Sequence, residues 1–319
     1  MEFVASVSLD LDDRWCYMKI HGDEGWQSYP TFLDIAVPRI LQFCDSHDLK
    51  LSFMVVGQDC ILPHNQPLLQ SILDNGHEIG NHSFHHDSWM HLFTTEEIVE
   101  DLTRAEEAIV AAVGKRPIGF RAPGFSISYD IATVLAKRGY LYDGSVFPTF
   151  MGPIARLYYL MTTRLTPEEK EKRKYLFGSF KDGFRSNMAY PWMKQGSRLM
   201  IIPVTTFPLF KLPIHLSYIL YLSTFSPTLG ILYFSAAIKL CRMLRVRPSI
   251  LLHSVDFLGK DDNIEELMFF PAMKLPRAKK LEIIAKTIEI LRQHYRVVTM
   301  EEHAKTLLEA STWPVYGIR

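Results

Sequence analysis

The sequence predicts an α/β fold built around a mostly parallel sheet. Segments with the composition of strands alternate with segments whose apolar residues recur at helical spacing, both over the first 150 residues and again after residue 248. The length of 319 residues fits one large domain with an insertion, and no internal repeat is visible. Such alternation is typical of a sheet that closes into a barrel or winds open.

The individual strands and helices can be assigned in order along the chain. β-Branched residues, aromatic residues and short apolar runs predict strands at 3–9, 49–56, 77–80, 117–121, 141–145, 249–255 and 295–300. Apolar residues at helical spacing predict helices at 29–47, 67–73, 94–113, 129–137, 277–294 and 301–309. Thr94 and Glu97 have the spacing of a capping box at the start of the third helix, and Gly114 follows its end.

The overall composition excludes several classes of function. The chain has 35 basic and 35 acidic residues, so no long-range attraction to a polyanion is expected, and we predict no nucleic-acid partner. The cysteines lack CxxC spacing and predict buried thiols in a reducing compartment; they are Cys16, Cys44, Cys60 and Cys241. The first ten residues lack the basic and apolar regions of a signal peptide, which favours a cytoplasmic location.

Residues 151–248 interrupt the alternation and form a predicted insertion. No charged residue occurs between Lys211 and Lys239, a stretch longer than the roughly 20 apolar residues that span a bilayer. Pro213 and Pro227 interrupt the stretch, and the strands on both sides must join one sheet, so a single crossing is not expected.

We therefore predict a helical hairpin at 206–247 that enters one membrane leaflet without crossing it. A basic flank would face anionic headgroups; it consists of Lys239, Arg242, Arg245 and Arg247. This predicts a peripheral or monotopic protein on the inner face of the cytoplasmic membrane. The alternative is a buried helical cap over the barrel.

Histidines and acids near predicted strand ends indicate a metal site. His82 and His86 are four residues apart, so one helical turn would direct both imidazoles toward the same point. Asp10, Asp12 and Asp13 crowd the end of the first strand, where like charges repel unless a cation or proton offsets them. On a strand, Asp10 and Asp12 share a face and Asp13 points the other way.

Three further elements carry groups suited to catalysis. Arg121 leaves a strand into a Pro-Gly corner, where it can orient a catalytic carboxylate, and the Gly124 backbone N–H can approach an oxyanion closely. His253 interrupts an apolar strand and would stand at its end with the other groups. Asp143 is a candidate carboxylate partner for His253.

Taken in chain order, these motifs resemble those of the NodB-type polysaccharide deacetylases, carbohydrate esterase family 4. The matching segments are Asp10-Leu11-Asp12-Asp13, His82-Ser83-Phe84-His85-His86, Arg121-Ala122-Pro123, Asp143 and Leu252-His253-Ser254. The resemblance covers about residues 3–150 and 198–310. It implies a distorted parallel (β/α) barrel with a hydrophobic helical insertion, in which 1–150 and 198–319 form a single catalytic domain.

The resemblance also implies a role for each matched residue. It makes Asp12, His82 and His86 the ligands of one divalent metal ion, with zinc as the default and cobalt, nickel or manganese also suited to the donor set. Asp10 would be the base and His253 the acid. Arg121 would hold the base, and Asp143 would tune the acid. The family usually has two adjacent aspartates, whereas this chain has Asp10-Leu11-Asp12-Asp13. In the alternative assignment, Asp12 is the base and Asp13 is the ligand.

The implied activity is hydrolysis of an N-acyl group, acetyl or formyl, from an aminosugar. The chain resembles enzymes that act on an aminosugar carried by a polyprenyl phosphate in cell-envelope glycan synthesis. The resemblance rests on the segment 202–205, the hydrophobic insertion and the lack of a signal-peptide pattern. The expected partners are therefore an N-acylated aminosugar and a membrane surface. Two alternatives are a soluble amidohydrolase of small linear amides or ureides, and an inactive barrel that only binds glycan.

Overall fold

One nine-stranded sheet lies at the centre of the described part of the chain, residues 3–173, 176–194 and 196–309 of a computed structural model. The strands are β1 (Val4–Leu11), β2 (Ser52–Val55), β3 (Glu78–Asn81), β4 (Gly119–Phe120), β5 (Tyr142–Asp143), β6 (Tyr190–Lys194), β7 (Ser197–Ile201), β8 (Ser249–His253) and β9 (Arg296–Val298). Their order is β6-β7-β5-β4-β3-β2-β1-β8, with β9 also beside β1.

The sheet has the form of a distorted barrel, which confirms the predicted fold class. Every strand pair is parallel except β6 with β7. The backbone after β7 approaches β8, because the Thr205 N–H donates to the Ser249 carbonyl at 2.9 Å. The outer residues of the predicted catalytic domain, 1–2 and 310–319, lie outside the described residues.

Helices surround this sheet at most of the predicted positions. They are α1 (Arg14–His21), α2 (Leu33–Ser46), α3 (Gly57–Cys60), α4 (Gln66–Asp74), α5 (Thr95–Val113), α6 (Tyr129–Lys137), α7 (Gly152–Thr162), α8 (Pro167–Lys172), α9 (Leu216–Phe225), α10 (Pro227–Met243), α11 (Arg277–Arg292) and α12 (Met300–Glu309). The capping box of Thr94 and Glu97 is present at the start of α5, and Gly114 ends that helix in the left-handed conformation.

Strand β1 separates the outer core from the interior of the barrel. Its apolar side chains pack into the main hydrophobic core beneath the helices; they are Ala5, Val7, Leu9 and Leu11. The alternate residues Ser6, Ser8 and Asp10 are polar and buried, and they bond to groups inside the barrel. The alternation of side chains along one strand thus provides both a packed core and a polar interior.

Strands β6 and β7 lie within the range 151–248 that the sequence analysis assigned to an insertion. They form an antiparallel hairpin, and β7 pairs in parallel with β5 through Tyr142 and Met200. The insertion therefore extends the barrel sheet as well as covering it. The pairing depends on contacts distant in sequence, which the local pattern does not contain.

The apolar segment at 206–247 contains the predicted pair of helices, α9 and α10. One flank of the pair is buried in the main core; it includes Ile219, Leu220, Phe234, Ala237, Ile238 and Cys241. Near the turn between the helices, Phe225, Leu229 and Leu232 are exposed. Within the described residues, no helix combines the length and apolar character needed to cross a membrane.

The basic flank of the hairpin lies at the opposite end of α10 from this turn. Arg242 stacks on the ring of Phe3 at 3.7 Å, just before β1 begins. The helix Pro227–Met243 is about 25 Å long by the usual rise per residue, so the flank is distant from Phe225. The predicted contact of the hairpin and its basic flank with a membrane surface remains a prediction.

Lys280 on α11 gives a stability prediction, because its ammonium group is fully buried. Its Nζ donates to the Val255 carbonyl at 2.8 Å, and burial lowers the pKa of Lys280 to about 8. At pH values between about 8 and the pKa of an unfolded lysine, the unfolded chain binds one more proton than the folded chain. Over this range the free energy of unfolding should therefore rise with pH by about 3 kcal/mol.

Replacing Lys280 by methionine should remove this pH dependence. At neutral pH we expect Lys280→Met to increase the free energy of unfolding by about 2 kcal/mol, because the cost of burying the charge exceeds the value of the one hydrogen bond that is lost. Near pH 10 this gain should disappear. Urea unfolding at several pH values measures this, with the exposed Lys279→Met as control. Destabilisation of Lys280→Met at neutral pH would contradict the prediction.

Candidate metal centre and active site

The predicted site residues meet where four parallel strands end. Asp10 lies near the end of β1, and His253 ends β8, its partner in register. His82 follows β3, and Arg121 follows the neighbouring strand β4. Because the carboxyl ends of parallel strands open on one edge of a barrel, the fold brings these four distant residues together.

Asp12, His82 and His86 form the predicted ligand group. Asp12 Oδ1 lies 3.3 Å from His82 Nε2 and 3.1 Å from His86 Nε2. One ligand atom of each residue lies within 4.8 Å of the other two, and all three side chains are buried. The structure therefore supplies two nitrogens and one oxygen around a common point.

The histidine motif adopts a loop, so the predicted helical turn between His82 and His86 is wrong. Ser83 has φ +66° and His86 has φ +55°, which interrupts any helix. Asp101 on α5 accepts the Phe84 N–H at 3.0 Å. These bonds replace helical ones, and the loop brings the two imidazoles to a ring separation of 5.1 Å.

The hydrogen bonds of His82 show that this group fits a cation. Its Nδ1 lies 2.7 Å from the Arg121 carbonyl, which can only accept, so Nδ1 carries the proton. The Nε2 lone pair then faces the carboxylate of Asp12, an arrangement that requires a cation or proton between them. Two imidazoles and one carboxylate with an orienting bond to a backbone carbonyl are a donor set suited to zinc and similar divalent ions.

The charge state of Asp12 agrees with a ligand role. Burial alone would raise the pKa of Asp12, but His86 and His82 outweigh it and hold that pKa well below its usual value. The carboxylate is therefore ionised. His86 Nδ1 is buried without a hydrogen-bond partner among the described residues.

The structure places Asp13 away from the imidazoles, against the alternative in which it is the ligand. Its Oδ1 accepts the N–H of Arg14 at 2.7 Å and that of Phe32 at 2.9 Å. Asp13 is thus the N-cap of α1 and ties this helix to the start of α2. Burial raises the pKa of Asp13 to about 7.

Arg121 holds Asp10, as predicted from the sequence motif. Its Nη1 donates to Asp10 Oδ1 at 2.6 Å, its Nη2 to Ser8 Oγ at 2.9 Å and its Nε to the Gly144 carbonyl at 3.0 Å. The guanidinium is fully buried. Asp10 Oδ2 remains directed into the site, 4.0 Å from both His82 Nε2 and His253 Nε2.

His253 is partly exposed and takes its partner from the hairpin. Its Nε2 faces Asp10, and its Nδ1 lies 2.9 Å from the hydroxyl of Ser217, in the first turn of α9. Ser217 in turn donates to Asp256 Oδ2 at 3.0 Å. Asp256 lies in the short turn directly after β8.

The prediction that Asp143 tunes His253 is not supported by this geometry. Asp143 Oδ1 accepts the hydroxyl of Ser145 at 2.5 Å, and Ser145 Oγ accepts the Ala122 N–H at 2.8 Å. Asp143 Oδ2 accepts the Ser145 backbone N–H at 3.2 Å, so both oxygens of this carboxylate bond Ser145 rather than His253. Asp143 therefore orders the turn after Arg121, and burial raises the pKa of Asp143 to about 6.

Gly124 lies at the wall of a cavity of about 430 Å³. Its φ of +60° suits glycine, and a Cβ at this position would come within 2.9 Å of Ser88. Phe125 and Phe147 form part of the apolar wall, with ring centroids 4.7 Å apart. The predicted oxyanion role of the Gly124 N–H remains a prediction.

Sequence reasoning missed two residues that contact His253. Asp256 follows His253 by three residues, and its carboxylate accepts the His253 backbone N–H at 2.9 Å, as in a capping box. That spacing is a local signal that could have identified it. Ser217 has no such signal, because only the tertiary fold brings α9 to the end of β8.

The chain is similar in sequence to known polysaccharide and peptidoglycan deacetylases. The family model for polysaccharide deacetylases matches residues 23–142. A peptidoglycan deacetylase-like protein of Gibberella zeae is 28% identical over 168 residues, 50% of this chain and 47% of that protein. A peptidoglycan deacetylase of Helicobacter pylori is 29% identical over 114 residues, 35% of this chain and 38% of that protein.

The fold also matches a solved structure along the whole chain. A Mycobacterium smegmatis protein assigned to the polysaccharide deacetylases superimposes with a TM-score of 0.63 at 18% identity, covering 100% of this chain and 96% of the other. The chain spans about half the length, or less, of the two curated relatives. Residues 23–142 therefore match the polysaccharide deacetylase family, and the motifs and fold of the chain are similar to those of the NodB-type polysaccharide deacetylases, carbohydrate esterase family 4.

Proposed function

We propose that this protein is a metal-dependent hydrolase that removes the N-acyl group, acetyl or formyl, from an aminosugar. One observation carries the proposal: Asp10 Oδ2 lies 4.0 Å from an imidazole of the candidate ligand group and 4.0 Å from His253. A base, an acid and a divalent-metal donor set thus converge on one point. That combination is what hydrolysis of an amide requires.

Each protein group has a defined part in this reaction. An ion held by Asp12, His82 and His86 would supply Lewis acidity toward the amide carbonyl. Asp10, with Oδ1 occupied by Arg121, uses Oδ2 to take the proton of the attacking water. His253 Nε2 then gives a proton to the nitrogen as the C–N bond breaks, because an amide nitrogen leaves poorly as an anion.

We further propose that the aminosugar is carried on a polyprenyl phosphate, because apolar surface adjoins the site. The hairpin begins at Leu216, directly before the serine that contacts His253. On α7, exposed apolar residues at helical spacing form one face: Ile154, Leu157, Tyr158 and Met161. Exposed apolar faces of this kind mark contacts with lipid or protein.

The turn between Thr206 and Pro213 adds to this surface. It exposes Leu209 and Phe210, which are 71% and 63% accessible. Leu209 has φ +71°, a conformation that is costly for a bulky residue and is often found at functional positions. We therefore place the lipid contact at this turn, the face of α7 and the tip of the hairpin, rather than at the basic flank.

From the proposed lipid-linked substrate we predict that polar substitutions in this turn weaken binding of the lipid-linked sugar but not of the lipid-free sugar. The double variant Leu209→Ser, Phe210→Ser should raise KM for a polyprenyl-phosphate-linked N-acetylhexosamine by about tenfold or more, since apolar burial is lost. The same variant should hydrolyse the sugar phosphate without lipid as the parent does. Val110→Ser, an exposed apolar residue of α5, is the matched control.

Direct binding to vesicles provides a second measurement. Co-sedimentation with neutral phosphatidylcholine vesicles should fall in the double variant, and high salt should release the parent protein only in part. Equal KM values for lipid-linked and lipid-free sugars in the parent protein would contradict the lipid proposal. Turnover of small linear amides or ureides in place of aminosugars would instead favour the amidohydrolase alternative.

A further inference from the structure

We propose that Ser217 is a positioning residue for the acid: it connects Asp256 to Nδ1 of His253 and directs Nε2 toward the substrate. This inference rests on the proposed function, because it concerns the acid of that reaction. It assigns the hairpin a part in the chemistry in addition to a contact with lipid.

The direction of the hydrogen bonds follows from the available protons. Ser217 has one hydroxyl proton, which it donates to Asp256 Oδ2 at 3.0 Å. Its oxygen is then left to accept a proton from His253 Nδ1 at 2.9 Å. The neutral form of His253 therefore carries its proton on Nδ1, and Nε2 is the nitrogen that gains and loses a proton.

This arrangement matches the needs of a general acid. In the protonated imidazole both nitrogens carry protons, and Nε2 faces Asp10 Oδ2 across 4.0 Å. When the C–N bond breaks, the Nε2 proton passes to the departing nitrogen, and the Nδ1 proton stays in its bond with Ser217. Without that bond, the ring is free to rotate or to change tautomer, and the acid loses its alignment.

The partner of Ser217 is itself held rigidly. Asp256 is buried, and its Oδ2 also accepts the His253 backbone N–H at 2.9 Å. Ser217 lies in the first turn of α9, yet its hydroxyl is not the cap of that helix, because the N-cap position belongs to His215. The hydroxyl is thus committed to the pair of His253 and Asp256.

The test compares two substrates that differ in their need for an acid. The nitrogen of an amide departs as an amine only after it has been protonated, whereas para-nitrophenolate departs from its ester without protonation. We expect Ser217→Ala to reduce kcat for an N-acetylated aminosugar by about 10- to 100-fold with KM unchanged. Hydrolysis of para-nitrophenyl acetate should change by no more than about threefold.

Two control variants separate positioning from folding. Ser217→Thr keeps the hydroxyl and should restore most of the amide turnover. Thr224→Ala removes an exposed hydroxyl from the same helix, where it bonds the Tyr221 carbonyl, and should leave both activities unchanged. Equal losses on amide and ester in Ser217→Ala, or no loss on the amide, would overturn the proposal.

A spectroscopic measurement keeps the inference independent of the proposed activity. In protein with 15N-labelled histidine, the His253 resonance, identified by its absence in His253→Gln, should show the Nδ1–H tautomer in the parent and a mixed or Nε2–H tautomer in Ser217→Ala. An unchanged tautomer in Ser217→Ala would overturn the proposal that Ser217 positions His253. Absence of aminosugar hydrolysis in the parent, with the tautomer shift present, would instead count against the proposed function alone.

Discussion

Removal of either imidazole from the ligand group should abolish both metal binding and activity. In His82→Ala and His86→Ala the remaining two donors cannot hold a divalent ion tightly, and we expect turnover to fall by about 10³-fold or more. Elemental analysis after dialysis, together with turnover of an N-acetylated aminosugar, measures both effects.

The neighbouring histidine provides a matched control for this prediction. His85 lies in the same loop, but its Nε2 bonds Arg104 at 2.9 Å, outside the ligand group. His85→Ala should therefore keep its metal and most of its activity. Full metal occupancy in both His82→Ala and His86→Ala would show that the ion binds elsewhere.

Loss of the acid or the base should stop turnover while the metal stays bound. We expect His253→Ala to slow amide hydrolysis by about 10²- to 10⁴-fold, because the leaving nitrogen is no longer protonated. Asp10→Asn should cause a comparable loss, and Asp12→Asn should lose the metal. Kinetics and elemental analysis on the same preparations distinguish the three residues.

The outcome for the two aspartates is decisive for their roles. If Asp10→Asn removed the metal and Asp12→Asn retained it, the assignments of base and ligand would be exchanged. Loss of metal in His253→Ala would make this histidine a ligand. Because Asp10 neutralises the buried Arg121, thermal unfolding of Asp10→Asn must also be measured to exclude a folding defect.

The sequence predicts the ligand group well because parallel strands end on a common edge. Asp12 lies on one segment and both His82 and His86 lie on another, and each segment follows a predicted strand, so a parallel barrel places them at the same edge. Arg121 and Asp10 meet for the same reason. The position of these residues directly after predicted strands carries this information, whereas the order of the strands in the sheet comes from the structure.

Local conformation and partners across the barrel are less accessible from the sequence. The loop at His82–His86 depends on Ser83 in the left-handed region and on Asp101 from α5, neither of which the spacing of histidines indicates. Helix α1 was not predicted, because its apolar residues are consecutive rather than at helical spacing; they are Trp15, Cys16, Tyr17 and Met18. Its N-cap, Asp13, instead resembled a metal ligand in the sequence.

The hairpin illustrates how one apolar pattern can serve several purposes. Its lack of charge predicted a pair of membrane-associated helices, and the pair is present as α9 and α10. Tertiary packing then buries one flank in the core and leaves Phe225 exposed, while it brings Ser217 to His253. Composition reports the total apolar surface but not its division between core, exposed surface and active site.

One measurement tests the central claim most directly. The purified protein, loaded with zinc, is incubated with a polyprenyl-phosphate-linked N-acetylhexosamine, and the products are analysed by mass spectrometry beside the His86→Ala variant. We predict one equivalent of acetate and one of lipid-linked amino sugar from the parent, and intact substrate from the variant. Intact substrate from the zinc-loaded parent, when the matching N-formyl substrate is also left intact, would contradict the proposal that this site hydrolyses an N-acylated aminosugar.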